Sequence, residues 1–237
     1  VFYCLAVVAG YKFHMCCIQP VLHGALGCGK KFFVVSAGAV VVVDHERAPR
    51  NGAPCAFRLW RKVFCLEEAL EDFKFIDKLN GKKIIMKGNH DYWWSTAAKF
   101  NKFCQENGFE NLHLLNNNCY EYGDWAICGT RGWFFEEERS GQHDEKVFKR
   151  ELLRLEASLK SAGEMPKMVF LHYPPLYKGY RCDEILELLH RYEVRRCFYG
   201  HLHGGSHGLA MEGLWDGIEF RLVAADYIGF KPQLVIL

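Results

Sequence analysis

Three short apolar runs in this chain each break into a polar loop rich in glycine, proline and histidine. Ile84-Ile85-Met86 leads into Lys87-Gly88-Asn89-His90-Asp91. Met168-Val169-Phe170-Leu171 leads into His172-Tyr173-Pro174-Pro175. Cys197-Phe198-Tyr199 leads into Gly200-His201-Leu202-His203. A short continuous apolar run bounded by turn residues reads as a buried strand. In open α/β sheets, ligands bind in the loops beyond the strand ends. Three strand ends therefore deliver Asn89, His90, His172, His201 and His203 to what can be one place.

The segments between these runs supply helices. Leu66, Leu70, Phe73, Ile76 and Leu79 share one helical face. Glu67, Glu68, Glu71 and Asp72 lie near its N-terminal end, where the helix dipole favours them, and Gly81 suits the position after its end. A helix is expected over 95–107 with Ser95 as its N-cap. Residues 112–115 and 120–128 read as strands around the turn Asn116-Asn117-Asn118. Residues 129–133 form a glycine-flanked loop. A long helix follows over 144–162, with Val147, Leu152, Leu155 and Leu159 as its buried stripe. Then come a strand at 167–171, a helix at 183–192 and a strand at 196–199, with closing strands at 218–224 and 233–237. Helices and strands alternate before strands dominate, which predicts a layered α/β fold with a mixed sheet.

The chain has 237 residues, half of them hydrophobic, enough for a substantial core. Its net charge of +2 gives no general attraction to nucleic acid or membranes, and no basic stripe with aromatics or amphipathic membrane helix stands out. The run at 32–43 is too short to span a bilayer, and residues 1–9 lack the basic start of a signal peptide. Eleven cysteines without regular spacing fit a reducing cytoplasm. Composition changes near residue 63. Residues 1–63 carry two acidic residues, Asp44 and Glu46, against eight Lys and Arg, while the remainder carries 26 acidic and 22 basic residues. The expected organisation is one domain: an atypical segment at 1–63 and a body at 64–237.

Imidazole nitrogens and an amide oxygen are good ligands for Zn²⁺, Mn²⁺ or Fe. Few cysteines among them suits a catalytic rather than a closed structural metal site. Gly200, Gly204 and Gly205 permit a bend that turns both His201 and His203 towards one cavity, and Pro174-Pro175 stiffens the loop after His172. His14, His23, His45, His113, His143 and His190 stand alone and read as packing or surface residues; His207 lies close to the cluster. One further motif competes. Gly24-Ala25-Leu26-Gly27-Cys28-Gly29-Lys30 has phosphate-loop spacing, but Lys31 stands where a Ser or Thr ligates magnesium.

Gly88-Asn89-His90-Asp91, His172 before a proline pair, and Gly200-His201-Leu202-His203 together resemble the signature blocks of the calcineurin-like metallophosphoesterase superfamily. The body at 64–237 is similar in register to its bacterial predicted phosphohydrolases, as far as the ending around Asp226-Tyr227. The resemblance implies two mixed β-sheets packed together and flanked by helices. It implies a phosphatase or phosphodiesterase with two divalent metal ions (Mn, Fe or Zn), a metal-bound hydroxide as nucleophile and a small phosphorylated substrate. Asn89, His172 and His201 would hold one metal and His203 would serve the other. His90 would act as general acid, oriented by Asp91. Arg131, by its charge and loop position, is the candidate for contact with substrate.

That family also begins with a strand ending in Asp-x-His and a second ending in Gly-Asp, whose side chains complete both metal sites. Residues 1–63 contain neither motif; Asp44-His45 lacks the intervening residue. Without a bridging carboxylate, two cations repel with little compensation. Three expectations follow: a shifted frame or foreign sequence over 1–63 joined to a family body, a non-catalytic member that binds a ligand or partner, or substitution of Asp44, His45 or a cysteine as ligand. A phosphate-loop nucleotide-binding protein is a distant further alternative.

Overall fold

The structure, a computed structural model, describes residues 32–34, 65–78, 81–88, 95–133, 142–229 and 233–235. Most of the segment 1–63 lies outside the described residues, including the phosphate-loop-like stretch at 24–30 and Asp44-His45. So do Asn89, His90 and Asp91. The chain divides into two compact units, one formed by Val1–Leu114 with Ile228–Leu237 and the other by Leu115–Tyr227.

In the first unit, a 3₁₀ turn at Glu67–Ala69 leads into the helix Leu70–Lys78. Phe73 and Ile76 are its buried residues. The Phe73 ring meets Phe100 and Phe103 edge-on, at 5.6 and 5.7 Å between centroids, an arrangement favoured by the ring quadrupoles. Those two rings belong to the helix Ala97–Glu106. Its N-cap is Thr96 rather than the expected Ser95. Thr96 has extended backbone and its Oγ1 accepts from Lys99 N at 3.2 Å, whereas Ser95 sits at φ 58° and presents no such geometry. Strand Lys83–Ile85 pairs parallel with Leu112–Leu114, and strand Phe32–Val34 pairs antiparallel with Gln233–Val235. Lys83 is fully buried. Its Nζ donates to Asp77 O at 2.9 Å, and burial pushes its pKa down to about 8.

The second unit is built on one six-stranded sheet, in the order Gly213–Trp215, Ile218–Leu222, Arg196–Tyr199, Lys167–Leu171, Trp125–Thr130, Cys119–Tyr122. The four inner strands are mutually parallel, and each edge strand is antiparallel to its neighbour. The sheet is thus mixed, as the sequence predicted. The stretch 120–128 differs from expectation. Gly123 (φ 56°) and Asp124 turn the chain, so it forms a hairpin of Cys119–Tyr122 against Trp125–Thr130. The second of these strands runs on through Gly129 and Thr130, which the sequence had suggested as loop. Glycine is required there: a Cβ would lie 2.1 Å from Phe170 O on the adjacent strand.

Helix Gln142–Ser161 covers the strand Trp125–Thr130. Its buried stripe is Phe148, Glu151, Leu155, Ser158 and Leu159, at helical spacing. Leu155 and Leu159 were expected; Val147 and Leu152 are only partly buried, because Glu151 and Ser158 occupy core-facing positions. Ser158 holds two strands in place. Its Oγ accepts from Gly129 N at 2.9 Å and donates to Asn118 O at 2.6 Å. Helix Asp183–Arg191 buries Ile185, Leu186, Leu188 and Leu189 in the same core, with Asp183 and Glu184 in its first turn. Burying roughly one such leucine side chain contributes about 1.5–3 kcal/mol. No helix among the described residues is long and apolar enough to cross a membrane.

Candidate functional site

Because the four inner strands run parallel, their C-terminal ends fall along one edge of the sheet. Thr130, Leu171 and Tyr199 are in register across three of them, and Leu222 continues the row opposite Tyr199. The next residues of each strand are therefore neighbours: Arg131, His172, Gly200-His201, and the segment 223–226. Backbone bonds tie these ends together. His172 N and Tyr173 N both donate to Arg131 O, at 3.1 and 3.0 Å. Gly200 N donates to His172 O at 3.1 Å, and Val223 N to Tyr199 O at 2.8 Å.

His172 and His201 meet. Nδ1 of His201 lies 3.2 Å from Nε2 of His172, and the rings are 5.0 Å apart at 75°. Tyr173 packs against the His201 ring, with centroids 4.2 Å apart. His172 is 2% exposed. His201 reaches this position through an unusual backbone. It is the middle residue of a three-residue turn closed by Leu202 N donating to Gly200 O at 2.8 Å, with φ at 68°. The bend expected from the flanking glycines is thus made at His201 itself and at Gly204 (φ 54°).

His203 has a different partner. Its Nδ1 is 2.8 Å from Asp226 Oδ1, and His207 Nε2 is 3.0 Å from Asp226 Oδ2. Gly204 N donates to Asp226 Oδ2 at 2.9 Å and Tyr227 N to Oδ1 at 3.1 Å. Burial by itself raises the Asp226 pKa. The hydrogen bonds from His203 and Gly204, the His203 charge and the contact with His207 outweigh it and hold the carboxyl at about 2. Asp226 is therefore a carboxylate at neutral pH and accepts a hydrogen bond from His203 Nδ1, which leaves Nε2 on the side of the ring away from the carboxylate.

Asp226 and His207 have no role in the sequence reading. The signal for Asp226 is the parallel pairing of Ile218–Leu222 with Arg196–Tyr199, which places the residues after Leu222 at the functional edge. An apolar-polar alternation cannot announce that pairing. The signal for His207 is weaker: it lies in the 3₁₀ turn Gly204–Leu209, four residues after His203, on a segment that reads from sequence as a glycine-rich loop. Arg131 directly follows the strand Trp125–Thr130, and its guanidinium is 3.7 Å from the buried Glu151 carboxylate.

The donor set suits a divalent cation in its chemistry: two imidazole nitrogens converge, and a third imidazole is oriented through a carboxylate in the manner of metal-binding histidines. Among the described residues, no group of three or more His, Cys, Asp or Glu side chains is gathered as a complete metal site. The remaining ligands implied by the sequence, Asn89 among them, lie outside those residues.

Comparison with curated proteins and with solved structures gives no match to the chain. The family model for calcineurin-like phosphoesterases matches residues 33–205. The match takes in all three loops that carry Asn89, His172 and His201 with His203, and it begins inside the segment 1–63. The chain belongs to the calcineurin-like phosphoesterase family.

Proposed function

From this membership we propose that the chain is a metal-dependent phosphoester hydrolase acting on a small phosphorylated substrate in the cytoplasm. The observation that carries the reading is the convergence of His172 and His201 at 3.2 Å, from two adjacent parallel strand ends, within a family of phosphoesterases. In this reading His172 and His201, with Asn89, hold one divalent cation, and His203 serves a second through Nε2. Mn, Fe and Zn all suit such nitrogen and oxygen ligands. When bound, the cations supply Lewis acidity towards the phosphoryl group and activate water as nucleophile.

The chain's own groups do the rest. Asp226 orients the His203 ring through Nδ1, so that the neutral ring would present its Nε2 electron pair to a cation. The bonds that His172 N and Tyr173 N donate to Arg131 O hold the backbone from which the His172 ring projects. His90 is proposed to protonate the leaving oxygen, with Asp91 orienting its ring. Arg131 is proposed to contact the phosphoryl group, its charge tempered by Glu151.

The absence of Asp-x-His and Gly-Asp from residues 1–63 favours a second reading, a family member that binds ligand or metal without turnover. One experiment separates the two. The full chain, purified without chelators and offered Mn²⁺ or Zn²⁺, is assayed for bound metal and for hydrolysis of p-nitrophenyl phosphate and its diester. Bound metal with turnover that His172→Ala abolishes is the expected result. Bound metal without turnover establishes the second reading. A chain that neither retains metal nor hydrolyses either ester sinks both.

A further inference from the structure

Glu151 is a carboxylate with almost no water. It is 2% exposed, in the middle of the helix Gln142–Ser161, and above it serves only to temper the charge of Arg131. An ionised carboxylate in such a place is retained only when it is well supplied with donors. Its Oε1 accepts from Thr130 Oγ1 at 2.6 Å and from Gly132 N at 3.1 Å. Its Oε2 faces two guanidiniums, Arg154 at 3.2 Å and Arg131 at 3.7 Å. Three of these four partners are the consecutive residues Thr130, Arg131 and Gly132. They are the turn by which the strand Trp125–Thr130 leaves the sheet, with Gly132 at φ 71°.

The turn has one further connection. The carbonyl of Arg131, flanked on both sides by groups bound to Glu151, accepts from His172 N and Tyr173 N. The His172 carbonyl in turn accepts from Gly200 N, next to His201. A single buried carboxylate thus sets the position of the carbonyl on which His172 hangs. The turn also depends on glycine: at φ 71° a side chain at Gly132 would be strained, and its Cβ would crowd the Leu171 side chain at 3.2 Å.

We propose that Glu151 is a positioning residue for the site: it clamps the turn Thr130–Gly132 so that the Arg131 carbonyl seats His172 in the orientation that meets His201. The clamp itself follows from the hydrogen bonds; its bearing on metal affinity rests on the hydrolase reading.

Amide hydrogen exchange at His172 and Tyr173 in the full, metal-free chain reads the clamp directly, because both amides donate to Arg131 O. Mn²⁺ affinity of the same proteins reads its bearing on the site. Glu151→Ala is expected to speed exchange at those two amides by about tenfold or more. It should weaken Mn²⁺ binding by roughly 10–100-fold, as loss of an outer-shell partner does. Ser158→Ala is the comparison: Ser158 is equally buried, on the same helix, and bonds Gly129 and Asn118 instead. At similar loss of stability it should leave His172 and Tyr173 exchange within about threefold of the parent. Equal acceleration in the two variants, or none in Glu151→Ala, overturns the proposal. Should Glu151→Ala fail to fold, Glu151→Gln decides. It keeps an acceptor for Thr130 and Gly132 but releases both arginines, and exchange at His172 and Tyr173 should rise several-fold; rates equal to those of Ser158→Ala overturn the proposal. A parent chain that holds neither Mn²⁺ nor Zn²⁺ and hydrolyses neither ester refutes the hydrolase reading, and the exchange comparison still decides the clamp.

Discussion

The two histidine groups of the second unit are held by opposite physical means. His172 and His201 sit at the ends of inner strands, and their rings address each other. His203 and His207 sit on a 3₁₀ segment at the surface and share one carboxylate, Asp226, which also receives two backbone amides. In the first group position comes from the sheet, and the rings' hydrogen-bonding capacity is directed at each other. Two imidazole nitrogens at 3.2 Å need a proton between them, or a cation to which both donate electron pairs. In the second group position comes from the carboxylate that both rings address. One group is placed by the backbone of a sheet, the other by side-chain bonds to an anion.

Substitutions at five positions press on this contrast. The largest effect is expected from His172→Ala or His201→Ala. If the pair holds a cation worth several kcal/mol to the transition state, phosphoester turnover should fall about a thousandfold or more, and a steady-state assay with Mn²⁺ checks it. Equal loss from His207→Ala would erase the distinction between the groups. Gly129→Ala strikes the sheet that supports the pair without touching a ring. Its Cβ would lie 2.1 Å from backbone of the adjacent strand, so a loss of about 3 kcal/mol in a denaturant melt is expected, at the upper end for overpacking. Asp226→Asn strips the second group of its anion. Mn²⁺ affinity should drop about 10–100-fold by titration, while the His172–His201 contact, followed by ring nitrogen chemical shifts, stays as it was. His207→Gln removes one partly exposed partner of Asp226. It should change stability by less than about 1 kcal/mol, and a shift in melting temperature beyond a few degrees would show that His207 carries more than a surface pair.

The strands Lys167–Leu171 and Arg196–Tyr199 and the loops they feed were legible because apolar runs of three or four residues ending in glycine or histidine have few other readings. The family match to residues 33–205 agrees with that part of the reading. Neighbourhood was not legible. Nothing in Ile218–Leu222 says that it lies parallel to Arg196–Tyr199, and without that pairing Asp226 has no address. Nor does a residue's type reveal burial that is made tolerable by partners elsewhere. Glu151 and Ser158 read as the polar face of their helix, and only the donors and acceptors of residues 118–132 make them core. The same limit explains Thr96 and Ser95: both residue types cap helices, and the backbone angle alone chose between them. The candidate ligand Asn89 and the candidate acid His90 with its orienting Asp91 rest on sequence and family membership.

The backbone at His201 sets function against durability. A non-glycine residue at φ 68°, in the middle of a three-residue turn, costs on the order of 1 kcal/mol or more. Glycine or asparagine adopts that angle with less strain. Replacing His201 by either should therefore offset part of the stability lost with the ring contacts to His172 and Tyr173. In a lineage released from selection for phosphoester chemistry, this position would be among the first to drift, and the drift would be towards a chain that folds no worse. What residue stands at 201 in any such descendant is a simple record of whether the chemistry was still being selected.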